Sequence, residues 1–62
     1  MTDEEFFTTM GLLRDHAKRR RQESLTAADV EMFKRWDALF GRLDTVLLQR
    51  ATEKSLKELQ GN

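Results

Sequence analysis

The hydrophobic positions of the chain form two helical patterns, separated by a short polar stretch. Within each pattern, apolar residues recur at steps of three and four, which at about 100° per residue places them on one side of a helix. No proline interrupts either pattern, and the three glycines lie far apart. The sequence therefore predicts an all-α fold, a two-helix antiparallel hairpin whose second helix is the longer one.

Both predicted helices begin with a capping signal. Thr2 is followed at three residues by Glu5, and Thr26 is followed at the same spacing by Asp29. A hydroxyl with a carboxylate three residues later is typical of a helix N-terminus. The predicted bounds, within a single domain of residues 1–62, are helix 1 over about 3–22, a turn at 23–26 and helix 2 over about 27–59.

The two helices differ in the width of their apolar surface. Helix 1 has one narrow stripe: Phe6, Met10, Leu13 and Ala17. Helix 2 has a seam with coiled-coil-like spacing, made of Phe33, Trp36, Phe40, Leu43, Leu47 and Ala51, and beside it a second row at steps of seven, made of Met32, Leu39 and Val46. The seam keeps its phase across Gly41, which predicts one continuous helix.

Together the seam and the row cover an arc of roughly 140°, which is more than one antiparallel neighbour can bury. Helix 1 is also expected to reach only to about residue 47, leaving Leu48, Leu56 and Leu59 without a partner in the chain. We therefore expect the hairpin to dimerise into a four-helix bundle. The predicted self-association core comprises Phe33, Trp36, Leu39, Phe40, Leu43, Val46 and Leu47.

The size of the chain supports this expectation. A domain of 62 residues is near the limit at which one chain buries enough apolar surface to fold alone, so small domains usually add disulfides, a metal or oligomerisation. The sequence contains no cysteine and one histidine, which excludes disulfides and argues against a structural zinc. Self-association is the remaining common supplement.

The most distinctive charged segment is the run Lys18 to Arg21. As a whole the protein is neutral, with 11 basic and 11 acidic residues, whereas nucleic-acid-binding domains are more often basic. Cations near the end of a helix also stabilise it through the helix dipole. The alternative is that Arg14, Lys18 and Arg21, which share one face of helix 1, follow a phosphate backbone.

The sequence favours neither catalysis nor a cofactor. His16 is the one residue that titrates near neutrality, and the chain offers it no cysteine, tyrosine or second histidine with which to build a catalytic or metal site. No apolar run approaches the roughly 18 residues of a membrane span. The N-terminus starts with acidic residues, unlike a signal peptide. We therefore expect a cytoplasmic protein that is not an enzyme, binds no metal or cofactor and does not span a membrane.

These observations favour a surface over an active site. The leading hypothesis is a self-associating helical protein that binds a larger protein and regulates or inhibits it, as small proteins of phages and mobile elements do. The alternative hypothesis is a dimeric RNA- or DNA-binding regulator that uses the basic end of helix 1. The candidate partner-binding residues are Phe7, Leu12, Arg14, Lys18, Arg21, Leu56 and Leu59.

Overall fold

The computed structural model, which describes residues 1–61, contains two α-helices packed side by side as a hairpin. Helix α1 spans Asp3–Thr26 and helix α2 spans Val30–Gln60, with no strand among the described residues. Helix α2 runs through Gly41 without a break, and the molecule measures 51 × 16 × 14 Å. The predicted all-α hairpin with a longer second helix is confirmed. Asn62, the end of the predicted domain, lies outside the described residues.

The first helix begins as the sequence predicts. The Thr2 hydroxyl accepts a hydrogen bond from the backbone N–H of Glu5 at 3.1 Å, which satisfies one of the free amides at the helix N-terminus. Three acidic residues occupy the first turn, where the positive end of the helix dipole favours negative charge. This local chemistry fixes the N-terminus of α1 at Asp3.

The predicted turn at residues 23–26 is wrong, because α1 continues to Thr26 and the chain reverses at residues 27–29. Ala28 adopts a left-handed backbone conformation with φ 56°. Its N–H donates to the carbonyl of Leu25 at 3.1 Å, and the N–H of Asp29 donates to the carbonyl of Ser24 at 2.9 Å. This pair of bonds is a Schellman motif, which ends the helix and satisfies its last carbonyls.

Asp29, not Thr26, starts the second helix. Its carboxylate accepts a hydrogen bond from the N–H of Met32 at 3.1 Å, while the Thr26 hydroxyl donates back to the carbonyl of Gln22 at 3.1 Å. Asp is a somewhat better N-cap than Thr, and the segment contains both residues at capping spacing. The backbone of Asp29 thus completes α1 and its side chain begins α2, so one residue orders both helix ends.

We expect Asp29→Ala to lower the free energy of unfolding by about 1 kcal/mol, since it removes the cap of α2. Thr26→Ala should change it by less than about 0.5 kcal/mol, because the Thr26 hydroxyl caps nothing. Urea unfolding followed by circular dichroism, at one protein concentration for both variants, measures the difference. Equal losses in the two variants would show that the helix boundary lies elsewhere.

The surface of α1 that faces α2 differs from the predicted stripe. Three predicted residues, Phe6, Met10 and Ala17, are half-buried or buried, and they are joined by residues outside the stripe: Phe7, Gly11, Arg14, Arg21 and Ser24. Leu13, predicted to belong to the stripe, is exposed. Arginine can occupy such a position because its aliphatic stem packs against apolar neighbours while the guanidinium reaches outwards. On α2 the first five seam residues, Phe33, Trp36, Phe40, Leu43 and Leu47, are half-buried or buried as predicted, whereas Ala51, the last predicted member, is exposed.

The core between the helices is thin. Among residues 1–61, Ala17 and Leu47 are the buried apolar residues and Ser24 the buried polar one, and no large side chain is fully buried. The Ser24 hydroxyl is satisfied by donation to the carbonyl of Arg20 at 2.9 Å. All the larger side chains of the seam therefore keep part of their surface in contact with solvent.

Helix α1 reaches further along α2 than predicted, because the turn lies three residues later in the chain. The Asp3 carboxylate is 3.7 Å from the guanidinium of Arg50, and the ammonium of Lys54 lies 5.9 Å from the centre of the Phe7 ring. The overhang of α2 is correspondingly shorter. Leu48, Leu56 and Leu59 are nevertheless exposed.

Candidate interaction surfaces

One side of the hairpin presents two parallel rows of side chains, which we call the open face. On α1 the row is Phe6, Leu13 and Arg20, and on α2 it is Met32, Leu39 and Val46. Each row advances by seven residues, so each stays on one side of a helix that packs in coiled-coil fashion. The four fully aliphatic members are 39% to 48% exposed. The sequence predicts that one neighbouring helix cannot cover both the seam and the row of α2. In the structure the row is the part that stays uncovered.

Contacts around Trp36 show that the two rows share a side. The guanidinium carbon of Arg20 lies 5.9 Å from the centre of the indole, and the His16 ring meets the indole edge-on at 5.7 Å. Arg20, Glu23, Met32 and Trp36 line one shallow cavity. Trp36 therefore lies between the two rows of the open face, where Arg20 and His16 of α1 contact its indole.

The opposite side, which we call the ion-paired face, is closed by bridges between the helices. Arg21 contacts Asp37 at 2.9 Å, and Arg14 contacts Asp44 at 3.5 Å. The guanidinium of Arg21 also lies 4.6 Å from the centre of the Phe40 ring, within range of a cation–π interaction. The two arginines are seven residues apart, as are the two aspartates, so the bridges repeat along the hairpin.

These bridges bear directly on the proposed phosphate-binding row. Arg14, Lys18 and Arg21 do lie on one side of α1, but two of the three guanidinium or ammonium groups are paired with α2. A phosphate there would have to compete with the carboxylates of Asp37 and Asp44. Lys18 is exposed and forms no ion pair among residues 1–61, so it is the one cation of the three without a carboxylate beside it.

A groove of about 370 Å³ crosses the ion-paired face near the N-terminus of α1. Phe7 and Gly11 form one wall, and Leu48 and Ala51 form the other. A side chain added at Gly11 would meet no atom within 4 Å, so the glycine leaves a notch that is open to solvent. Leu48 is 66% exposed, which makes this groove the most apolar part of this face.

The predicted partner-binding residues do not form a single site. Phe7 is half-buried, with its ring edge-on to Phe6 at 5.6 Å, and it lines the groove. Leu12 is exposed at the outer edge of the open face, beside Leu13, while Leu56 and Leu59 are exposed towards the end of α2. The structure adds Gly11 and Leu48 to the groove. Leu48 is among the residues that the sequence leaves without a partner in the chain, whereas Gly11 gives no signal, because a single glycine carries no periodicity.

The predicted self-association core is divided between two environments. Five of its members face α1 within the same chain: Phe33, Trp36, Phe40, Leu43 and Leu47. Leu39 and Val46 lie on the open face, where Met32 and Leu13 join them. Two of the seven predicted residues therefore remain available for contact with a second molecule, and the rows of the open face add Met32 from α2 and Phe6, Leu13 and Arg20 from α1.

The structure brings no catalytic arrangement to His16. Its ring contact is the indole of Trp36, and residues 1–61 contain no group of three side chains that could hold a metal ion. Neither of the two described helices is long and apolar enough to cross a membrane. Comparison of the chain with protein-family models, curated proteins and solved structures gave no significant match.

Proposed function

We propose that this protein is a non-enzymatic interaction module: two hairpins associate into a four-helix bundle, which binds and regulates a larger protein. The observation that supports the proposal is the unfinished core of the single hairpin. Its accessible surface is 5145 Å², whereas a compact monomer of 7.3 kDa exposes about 4,200 Å². The excess of roughly 1,000 Å² is close to the ~800 Å² that each partner buries in a standard interface.

Self-association is favourable because it buries the four aliphatic side chains of the open face. Each of its four aliphatic side chains is already more than half covered by the hairpin, and burying the remainder contributes about 1 kcal/mol per side chain. Their positions are ordered by the helix before association, so the entropy lost on binding is small. A thin monomeric core and a preformed apolar face together favour a folded dimer.

The larger partner requires a second surface, and the ion-paired face supplies one. Its groove lies on the side of the hairpin away from the open face, so dimerisation leaves it exposed. Phe7 and Leu48 offer apolar area beside the notch at Gly11, which suits an apolar anchor from a partner. Leu56 and Leu59 extend the apolar surface at the end of α2.

A pull-down from lysate tests this function against nucleic-acid binding. We expect the tagged protein to capture one protein in stoichiometric amount despite nuclease, and Leu48→Glu to reduce that capture at least tenfold, because it places a charge in the groove. The double variant Lys18→Glu, Arg19→Glu is the matched control, since both residues are exposed and form no ion pair among residues 1–61.

The opposite result would identify the alternative function. Capture that disappears with nuclease and with the Lys18, Arg19 charge reversal, but survives Leu48→Glu, would mean that the basic run binds nucleic acid. Arg14 and Arg21 are left unchanged in this experiment, because their charge reversal would break the bridges to Asp44 and Asp37. Loss of binding in such a variant would report on folding as much as on binding.

A further inference from the structure

The way in which two open faces meet can be inferred from the edges of the hairpin; this inference rests on the self-association proposed above. Two-fold symmetry allows two arrangements. If the axis is perpendicular to the helices, α2 packs on α2 of the second copy. If the axis is parallel to the helices, α2 packs on α1 of the second copy. Neighbouring helices are antiparallel in both arrangements, so helix direction alone does not decide between them.

The ion pairs give the height of each residue along the hairpin. Arg21 is level with Asp37, and Arg14 is level with Asp44. On the same scale Glu23 of α1 is level with Arg35 of α2, and Leu12 is level with Val46. An axis parallel to the helices preserves these heights in the dimer, whereas a perpendicular axis inverts them.

The charges at the edges of the open face distinguish the two arrangements. Arg35 and Arg42 lie three residues beyond Met32 and Leu39, on the outer edge of α2, and neither forms an ion pair among the described residues. A perpendicular axis centred on Leu39 places these two arginines beside the same two arginines of the second copy. Four guanidinium groups then gather at one edge, and like charges so placed oppose association.

A parallel axis gives complementary edges instead. Arg35 then faces Glu23 of the second copy, which lies on the outer edge of α1. Among residues 1–61 the ion-pair partner of the Glu23 carboxylate is Arg20, at 3.1 Å. Val46 faces Leu12 of the second copy, which is otherwise 67% exposed with no neighbour to cover it. The arrangement gives Arg35 an opposite charge, brings Arg42 level with His16 instead of with another arginine, and covers an apolar side chain that the hairpin leaves in solvent.

We propose that a second copy of this chain occupies the open face with α2 of each copy packed on α1 of the other, about a two-fold axis parallel to the helices. The excess surface of roughly 1,000 Å² is enough for one such interface. The arrangement assigns Leu12 to self-association and leaves the groove beside Gly11 free on both copies. Both copies can therefore bind a larger protein at once.

Single-cysteine crosslinking tests the arrangement, because the natural chain has no cysteine. Leu12→Cys chains are mixed with Val46→Cys chains and treated with a short bismaleimide crosslinker. We expect the mixed pair to crosslink at least tenfold more than a mixture of Leu12→Cys with Ala38→Cys, in which Ala38 lies on the outer side of α2. Disulfide formation under an oxidant, in a separate mixture without the maleimide, provides a second, shorter measure of proximity.

Three results with cysteine variants and sedimentation would contradict the proposed arrangement. Self-crosslinking of Leu39→Cys, together with crosslinking of Met32→Cys to Val46→Cys, would show α2 packed on α2 and overturn the inference while self-association stands. Dimers in sedimentation that crosslink in neither pattern would place the second copy away from the open face, which also overturns it. A folded single chain at all concentrations would refute the proposed self-association itself, and the inference with it.

Discussion

Leu39→Glu is expected to abolish dimerisation, raising the dissociation constant about a thousandfold or more. Leu39 lies in the middle of the open face and is 42% exposed in the single hairpin, so the hairpin itself has room for a glutamate there. In the dimer two carboxylates would lose water without gaining a partner, and two leucines would lose their burial. Together these effects cost at least about 4 kcal/mol per dimer.

Sedimentation equilibrium over a hundredfold range of concentration measures this effect. The wild type should show the mass of two chains, and the variant the mass of one. Ala38→Glu is the matched control, because it introduces the same charge one residue away, on the exposed outer side of α2. An unchanged dissociation constant in Leu39→Glu would mean that the open face is not the interface.

Helical content should be followed in the same samples. If the thin core of the hairpin is too small to hold the two helices together, the Leu39→Glu chain will lose helical content as well as its partner. The helical content of the wild type will then fall as the protein is diluted. A dimer whose protomers fold only on association is a common solution for chains of this length. Concentration-dependent circular dichroism distinguishes that case from a hairpin that folds first and then associates.

The sequence predicts the helices and the α2 row of the open face well, because both depend on periodicity. Met32, Leu39 and Val46 repeat every seven residues, and a row at that spacing cannot leave its side of the helix. The turn was misplaced for a local reason. Thr26 and Asp29 are both good N-caps, and the left-handed residue that ends α1 is Ala28, whereas glycine is the usual residue there.

The hydrophobic pattern predicts only part of the contact surface of α1: Phe6, Met10 and Ala17 belong to it, Leu13 does not, and the polar members give no apolar signal. Arg14 and Arg21 occupy core-facing positions, and neither belongs to a hydrophobic pattern. A signal was nevertheless present: the two arginines are seven residues apart, and so are Asp37 and Asp44 on the other helix. Matching charge pairs at heptad spacing on two antiparallel helices predict bridges. The groove beside Gly11 could not be predicted, because it depends on how the two helices sit against each other.

Arg21→Glu is expected to destabilise the protein by about 2 kcal/mol. It replaces an ion pair of 2.9 Å with Asp37 by two like charges, and it removes a guanidinium that lies 4.6 Å from the centre of the Phe40 ring. A partly exposed ion pair contributes up to about 1 kcal/mol, the cation–π contact a similar amount, and the repulsion adds to both. The Arg21 side chain is only 25% exposed, so solvent screens the new charge incompletely.

Lys18→Glu is the control for Arg21→Glu, because it makes the same change of charge on the same helix at a site with no ion pair among residues 1–61. It should change the free energy of unfolding by less than about 0.5 kcal/mol.

Adding Asp37→Arg to Arg21→Glu should restore part of the loss, since the swapped charges can form the bridge in reverse. Urea unfolding at one protein concentration measures these changes, and Asp37→Arg alone completes the double-mutant cycle. Equal effects of Arg21→Glu and Lys18→Glu, with no rescue, would show that the bridge does not hold the helices together. If stability falls in Arg21→Glu but not in Lys18→Glu, and Asp37→Arg restores it, then the residues of the basic run have different roles. Arg21 stabilises the fold, and Lys18 remains available to a partner.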